Sequence, residues 1–347
     1  MQVGHEVRAR FAGIVLLAGL VAGSALFGQV SSTLQQAKLP QATSPQGLDP
    51  LHLPTGQSAS AESRDPALQQ AEGLLRSGDS KTAEQMTRQY LRAHPNSADA
   101  HFLLGLILFR EQRATDSLAE YTTGAKERQP SAYDLKIVAL NYGILKDFLD
   151  ADKWLTKSLD WNPQDSEGWY YLGRIKYNSN RFDEAIAAFQ KCLALDPGNV
   201  KAEDNLGLSY EGLGNAEAAL EAYRKAIEWQ AQVAARNPGP WINAGSLLVE
   251  KDRPEEAIPM LTAAIEIAPD EFKAHQQLGK AYERLEQLPQ AQREMERAVA
   301  LAPDNAPLHF VLGQIYRRQG FTEKANAEFK RCAALNGSHS TKNVPSR

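Results

Sequence analysis

The 347-residue chain carries 38 basic and 42 acidic residues, and this net charge of −4 argues against a nucleic-acid-binding protein, which usually needs a basic excess. Its two cysteines exclude a disulfide-rich scaffold and offer no closely spaced pair for zinc. With 43% hydrophobic residues, 24 glycines and 18 prolines, the composition predicts that most of the chain is folded, soluble and helical.

Residues 1–28 have the pattern of an export segment. Arg8 and Arg10 precede an apolar run (residues 11–28) that has small residues near its end. The run predicts a cleaved signal peptide or an uncleaved membrane anchor, because its length is close to the roughly 20 residues that span a bilayer. In both cases the basic flank stays in the cytoplasm. The rest of the chain is therefore expected outside it, periplasmic or secreted after cleavage and membrane-anchored otherwise.

Residues 29–63 are rich in Ser, Gln, Pro, Ala and Gly and poor in aromatic and β-branched residues. Such a segment buries too little apolar surface to offset the entropy of ordering it. It is predicted to be a flexible linker. Residues 338–347 are predicted to form a polar tail.

Between the linker and the tail the sequence repeats with a period of 34 residues. In each unit, apolar residues three and four positions apart predict two short helices joined by a turn. A Leu-Gly pair recurs in the first helix and a small alanine recurs early in the second. Prolines, which cannot continue a helix, end most units. They are Pro95, Pro163, Pro197, Pro269 and Pro303.

This period and these positions resemble the tetratricopeptide repeat. The resemblance implies an all-α fold, a right-handed superhelical solenoid of about eight helix-turn-helix repeats, occupying residues 64–337. The predicted repeats start at residues 64, 98, 132, 166, 200, 238, 272 and 306.

The repeat that starts at Val200 is four residues too long and lacks its closing proline. Four residues are about one helical turn. The sequence therefore predicts a longer second helix, through Trp229 and Val233 and ending near Asn237. It would form a ridge or a partner contact, or it is a harmless insertion.

No residue pattern predicts catalysis, a metal site or a cofactor. His101, His275 and His309 share the fourth position of their repeats, where the family usually packs an aromatic residue, and no second metal ligand accompanies them. The segment around Ser246 lacks the second glycine of a nucleophile elbow. The chain is predicted not to be an enzyme.

The resemblance implies that the first helices line a concave groove, and it places aromatic, amide and cationic residues there. Asn205 and Asn243 hold one position in adjacent repeats; they form a ladder that grips a peptide backbone, or they are asparagines that are common in the family. The predicted partner-binding residues are Tyr170, Arg174, Tyr177, Asn178, Lys201, Asn205, Asn243, Lys273, Gln277 and Lys280.

The predicted function is that of a non-catalytic scaffold or adaptor of the cell envelope, with a protein or peptide partner and no nucleic acid. The groove would hold a peptide or a helical segment. One alternative is a self-assembling structural or complex-assembly subunit; another is a membrane-anchored accessory to an envelope enzyme. Polar residues on the last helix argue against self-assembly, and they are Lys324, Asn326, Glu328 and Lys330.

Overall fold

The computed structural model describes residues 65–231 and 235–341, and the predicted export segment and linker lie outside them. The described residues form sixteen α-helices and no strand. The helices are α1 (Pro66–Arg76), α2 (Ser80–Ala93), α3 (Ala98–Arg110), α4 (Ala114–Glu127), α5 (Ala132–Ile144), α6 (Phe148–Trp161), α7 (Ser166–Asn178), α8 (Phe182–Leu195), α9 (Val200–Gly212), α10 (Ala216–Trp229), α11 (Gly239–Glu250), α12 (Pro254–Ile267), α13 (Phe272–Arg284), α14 (Leu288–Leu301), α15 (Ala306–Arg318) and α16 (Thr322–Thr341).

The helices pack as eight consecutive pairs, each made of an odd-numbered first helix and an even-numbered second helix. The pairs fall into two compact units, an N-terminal unit up to Asn162 and a C-terminal unit from Pro163. The last helix continues to Thr341, beyond the predicted end of the final repeat at residue 337. In the part of the chain that the structure describes, no helix is long and apolar enough to cross a membrane.

Several first helices begin at a polar cap. The side chains of Ser97, Ser131, Asp165 and Asn199 each accept a hydrogen bond from the backbone N–H three residues later. This bond satisfies a donor that the first turn of a helix leaves unpaired. The cap thus fixes where each of these repeats starts.

Every repeat turns between its helices through one residue in the left-handed backbone region. Glycine, which adopts positive φ without strain, stands there in three repeats. Five repeats accept another residue type, which is uncommon. The eight residues are Gly78, Gln112, Lys146, Asn180, Gly214, Asp252, Glu286 and Gly320.

Small residues let the two helices of a repeat approach closely. The alanines early in the second helices are at most 2% exposed; they are Ala83, Ala151, Ala185, Ala219, Ala257, Ala291 and Ala325. Four residues after Ala185, the Phe189 ring lies against Gly173 in the first helix of the same repeat. It also packs in one core cluster with Leu206 of the next repeat. The repeats are therefore held by contacts within pairs and between neighbours, as expected of a helical repeat protein.

The predicted longer helix in the fifth repeat is wrong: α10 ends at Trp229, and of the predicted extension Val233 lies outside the described residues. The reason is the buried side chain of Gln230. Its amide donates to Ala226 O (3.3 Å), and its Oε1 accepts from the backbone N–H of Asn237 (2.6 Å). The Gln230 side chain thus joins the end of α10 to Asn237, just before the next repeat begins.

Candidate functional site

The first helices of the C-terminal unit form one continuous surface. Helix α9 contacts α7 and α11, and α11 contacts α13, whereas the second helices of the described repeats do not contact one another to a comparable extent. A stack of helix pairs in which the first helices lie closer together than the second helices is curved, and its first helices line the concave side. We call the surface of α7, α9, α11 and α13 the inner face.

Helix α7 places aromatic and cationic groups side by side on the inner face. The Arg174 guanidinium lies 5.8 Å from the centre of the Tyr170 ring, a cation–π distance. Tyr170 packs on Phe189, with ring centres 6.1 Å apart, and both Tyr170 and Arg174 remain partly exposed. Tyr177 packs edge-on against Phe182, at 5.5 Å, and Asn178 is exposed. The surface of this helix can therefore stack on an apolar group and pair with an anion.

The two asparagines predicted to form a ladder have different surroundings. Asn205 is partly exposed, and its amide donates to Lys201 O at 2.8 Å within the same helix. Asn243 is only 8% exposed, and its amide donates to Asp204 Oδ1 at 2.9 Å. The two side chains thus do not present equivalent groups. A peptide-binding role for them stays a prediction.

Asp204 is the least expected residue of this surface. The residue is 9% exposed, and burial raises the pKa of its carboxyl group from 3.8 to about 7, while the Asn243 hydrogen bond acts in the opposite direction. The sequence gives little sign of this pair, because its members are 39 residues apart. The two side chains meet because of the way α11 packs against α9.

Glu211 is a second partly buried acid on α9. The phenol of Tyr223 donates to Glu211 Oε2 at 2.8 Å, and burial raises the pKa of Glu211. Burial also raises the pKa of Tyr177, with a further contribution from the charge of Glu211. This polar cluster was not predicted from the sequence.

Helix α13 contributes Lys273, Gln277 and Lys280, all partly exposed. Burial lowers the pKa of Lys280, and the neighbouring charge of Glu283 opposes that shift. The predicted residues of the inner face are therefore spread over four successive first helices of one unit, with aromatic and cationic groups at one side and amides and lysines at the other.

The three histidines form one repeated arrangement. In His275, Nε2 donates to Pro269 O at 3.0 Å and Nδ1 lies 2.7 Å from Glu294 Oε2. His101 and His309 make the same two contacts at the same sequence offsets. A glutamate 19 residues later and a proline six residues earlier are the sequence signal that could have revealed it. The arrangement also corrects the position of Glu328, which bonds His309 rather than facing solvent freely.

We expect His275→Phe to lower the free energy of unfolding by about 1–2 kcal/mol, because Glu294 and the Pro269 carbonyl then lose a partner in a partly buried place. His275→Trp is the matched variant, since Trp169 donates to Pro163 O at the equivalent position (2.9 Å). Chemical denaturation followed by circular dichroism should show a smaller loss for the tryptophan. Equal losses would contradict a role for the carbonyl bond.

Within the residues that the structure describes, no group of three or more His, Cys, Asp and Glu side chains could hold a metal ion. Cys192 is buried, and burial raises the pKa of its thiol to about 12, so it is a poor nucleophile. The arrangement of the inner face offers contacts for a partner rather than an activated nucleophile.

Consecutive helix pairs of this kind define an all-α helical repeat protein. Family models described as tetratricopeptide repeat match residues 68–133, 166–199, 204–233 and 248–315, which together exceed half of the chain. The chain belongs to the tetratricopeptide repeat family.

Relatives share the repeats rather than their full length. The chain is 26% identical over 183 residues to tetratricopeptide repeat-containing protein trd-1 of Caenorhabditis elegans, a match that covers 52% of this chain and 22% of the relative. It is 41% identical over 70 residues to the peroxisomal targeting signal receptor of Kluyveromyces lactis, covering 20% of this chain and 12% of the relative. The chain thus spans less than a quarter of either protein.

A solved structure supports the fold. The crystal structure of a tetratricopeptide repeat protein from Parabacteroides merdae ATCC 43184 is similar with a TM-score of 0.56 and 16% identity. The similarity covers 72% of this chain and 97% of that one. At this identity the comparison shows a shared fold.

Proposed function

We propose that this protein is a non-catalytic scaffold or adaptor that binds a segment of another protein on the inner face of its C-terminal unit. The observation that carries the proposal is the set of partly exposed aromatic, amide and cationic side chains on neighbouring first helices, such as Tyr170, Arg174 and Gln277. Tetratricopeptide arrays are protein-interaction scaffolds, and one relative is named as a receptor for a peroxisomal targeting signal. The role proposed for this chain is to bind a segment of another protein.

Selection from a random library of 12-residue peptides, with the full chain kept soluble in a nonionic detergent, tests this proposal. Selected peptides should bind the wild type and should lose at least about tenfold in affinity to Tyr170→Ala combined with Gln277→Ala. A control carrying Lys191→Ala and Arg224→Ala, on exposed positions of second helices, should bind normally. Peptides that ignore the inner-face variant, or the absence of any selected peptide, would refute the proposal.

The proposal also places the array outside the cytoplasm, on the strength of the basic and apolar pattern in residues 1–28. A reporter enzyme that is active only after export, fused after residue 347, should be active. Mass spectrometry of the purified protein would separate a cleaved signal from a retained anchor. An inactive reporter would overturn this part of the proposal.

Self-assembly through the last repeat is a second candidate, because that repeat exposes an aromatic residue. Phe310 is 47% exposed and packs on Phe329, with ring centres 5.8 Å apart. Sedimentation at two protein concentrations tests this candidate, with Phe310→Ser as the variant. A concentration-dependent oligomer that the variant abolishes would support assembly.

A further inference from the structure

The inner face carries cations that form no ion pair with the part of the chain that the structure describes. At the turns of the C-terminal unit, arginines are paired with acids, as Arg181 is with Glu184 and Arg253 with Glu256. By contrast, no ion pair to Arg174, Lys273 or Lys280 is found among the described residues, and all three are only partly exposed. We call these three side chains the inner cations.

Three acids on helices α9 and α13 of the inner face have partners of their own. Asp204 is buried and bonded by Asn243, and Glu211 accepts from Tyr223. Glu283 accepts from Arg318 at 3.0 Å. The inner cations are therefore without an ion-pair partner among the described residues, although the charge of Glu283 acts on Lys280 from nearby.

Other unpaired cations do not share this environment. Lys191, Arg224 and Arg293 stand on second helices and are exposed, so water solvates them. Lys280 is partly buried, and that burial lowers its pKa because the charged form loses solvation. A partly desolvated cation without a counterion gains more from an incoming anion than a solvated one does.

The surface is also specific to the C-terminal unit. Arg174 and Lys280 hold the ninth position of their repeats. In the three repeats of the N-terminal unit the same position carries Glu72, Leu106 and Leu140. The cations are thus not a general property of this repeat position.

The spacing of the inner cations indicates the size of the ligand. Arg174 and Lys280 are separated by three helix-to-helix steps, from α7 to α13, and packed helices are about 8–10 Å apart, so the span is about 30 Å or less. An extended chain covers that distance with roughly nine residues. Lys273 and Lys280 lie two turns apart on one helix, about 10 Å along its axis.

We infer that the segment bound on the inner face is an acidic extended peptide of about nine residues or more. One carboxylate pairs with Arg174 beside Tyr170, and others pair with Lys273 and Lys280 on α13. This inference rests on the proposed function and names the chemistry of its partner.

The peptides selected from the random 12-residue library provide the test. They should be enriched in Asp and Glu at both ends, and the tightest of them, with its acids changed to Gln and Asn, should bind about tenfold more weakly or worse. Arg174→Ala, Lys273→Ala and Lys280→Ala together should produce a similar loss. Raising the salt concentration from about 0.05 M to 0.3 M should weaken binding severalfold, because it screens partly exposed ion pairs.

The matched control removes the same amount of charge from second helices, with Lys191→Ala, Arg224→Ala and Arg293→Ala, and should bind like the wild type. Equal losses in both triple variants would overturn the inference, because the attraction would then be unspecific. Peptides that depend on Tyr170 and Gln277 but carry no excess of acids would also overturn it and leave the proposed function intact. Circular dichroism verifies that all variants remain helical.

Discussion

Asp204→Asn is expected to stabilise the protein at pH 8 and to leave its stability nearly unchanged at pH 4. The buried carboxyl group has a pKa near 7 in the folded chain, against an ordinary value of 3.8, so the fold favours its neutral form. An amide is neutral at every pH, and its oxygen can still accept from Asn243. The expected gain at pH 8 is about 2–4 kcal/mol, since one pKa unit corresponds to about 1.4 kcal/mol.

The direction in which stability changes with pH follows from the raised pKa of Asp204. Because the folded pKa of this acid is raised, the wild type loses stability as the pH rises from about 4 to about 7, and the loss is complete above that range. Unfolding midpoints in guanidinium chloride at pH 4, 6 and 8 measure this slope, and the variant should show a smaller one, because other buried acids such as Glu211 also have a raised pKa. Asp183→Asn, at an exposed position of α8, is the control and should keep the wild-type slope. A variant that is less stable at pH 8 would show that the fold stabilises the ionised carboxylate, which contradicts a raised pKa of Asp204.

The helices were predictable from the sequence because their signals are local. A cap such as Asp165, the Leu172-Gly173 pair and the closing Pro197 all fall within one period. The same signals recur in each repeat, so a helix boundary that is unclear in one repeat can be predicted from the neighbouring repeats. The positions of the pairs therefore follow from the sequence alone, including the starts of α3, α5, α7 and α9 at the predicted residues.

What the sequence did not predict depends on contacts between segments. The end of α10 is decided by the Gln230 side chain, which reaches seven residues ahead to Asn237. Helical periodicity describes single helices and contains no information about such a bond. The second helix of the fifth repeat was consequently predicted to continue beyond Trp229, where α10 ends.

On the inner face, too, the repeat pattern predicts which helix carries a residue but not the contacts that the residue makes. That Tyr170, Arg174 and Lys280 belong to first helices follows from the repeat, and the structure places them there. Which of these groups remain available does not follow from the repeat. Asn243 is occupied by Asp204, a residue of the preceding first helix, and only the packing of α9 on α11 reveals it.

The second large effect is expected from Gly207→Ala, which should lower the free energy of unfolding by about 2–3 kcal/mol. A Cβ atom at this position would lie 2.4 Å from Cε1 of the Tyr223 ring, which is fully buried and anchored by its hydrogen bond to Glu211. A ring held in this way cannot move aside without disturbing the core, and overpacking of that kind typically costs about 1–3 kcal/mol. The gain in helix propensity, about 1 kcal/mol, does not offset it.

Gly279→Ala is the matched control, because Gly279 holds the same position two repeats later and faces a flexible side chain. Its added Cβ would lie 3.2 Å from the terminal methyl group of Met295, which can rotate away, and 3.3 Å from the backbone oxygen of Ala291, which needs to move by only a few tenths of an ångström. Here the gain in helix propensity should balance the contact, so stability should change by less than about 0.5 kcal/mol. Denaturation midpoints of the two variants measure the difference. If both substitutions cost the same, the rigid tyrosine ring would not be the cause, and the close approach of the two helix backbones in these two repeats would explain the glycine instead.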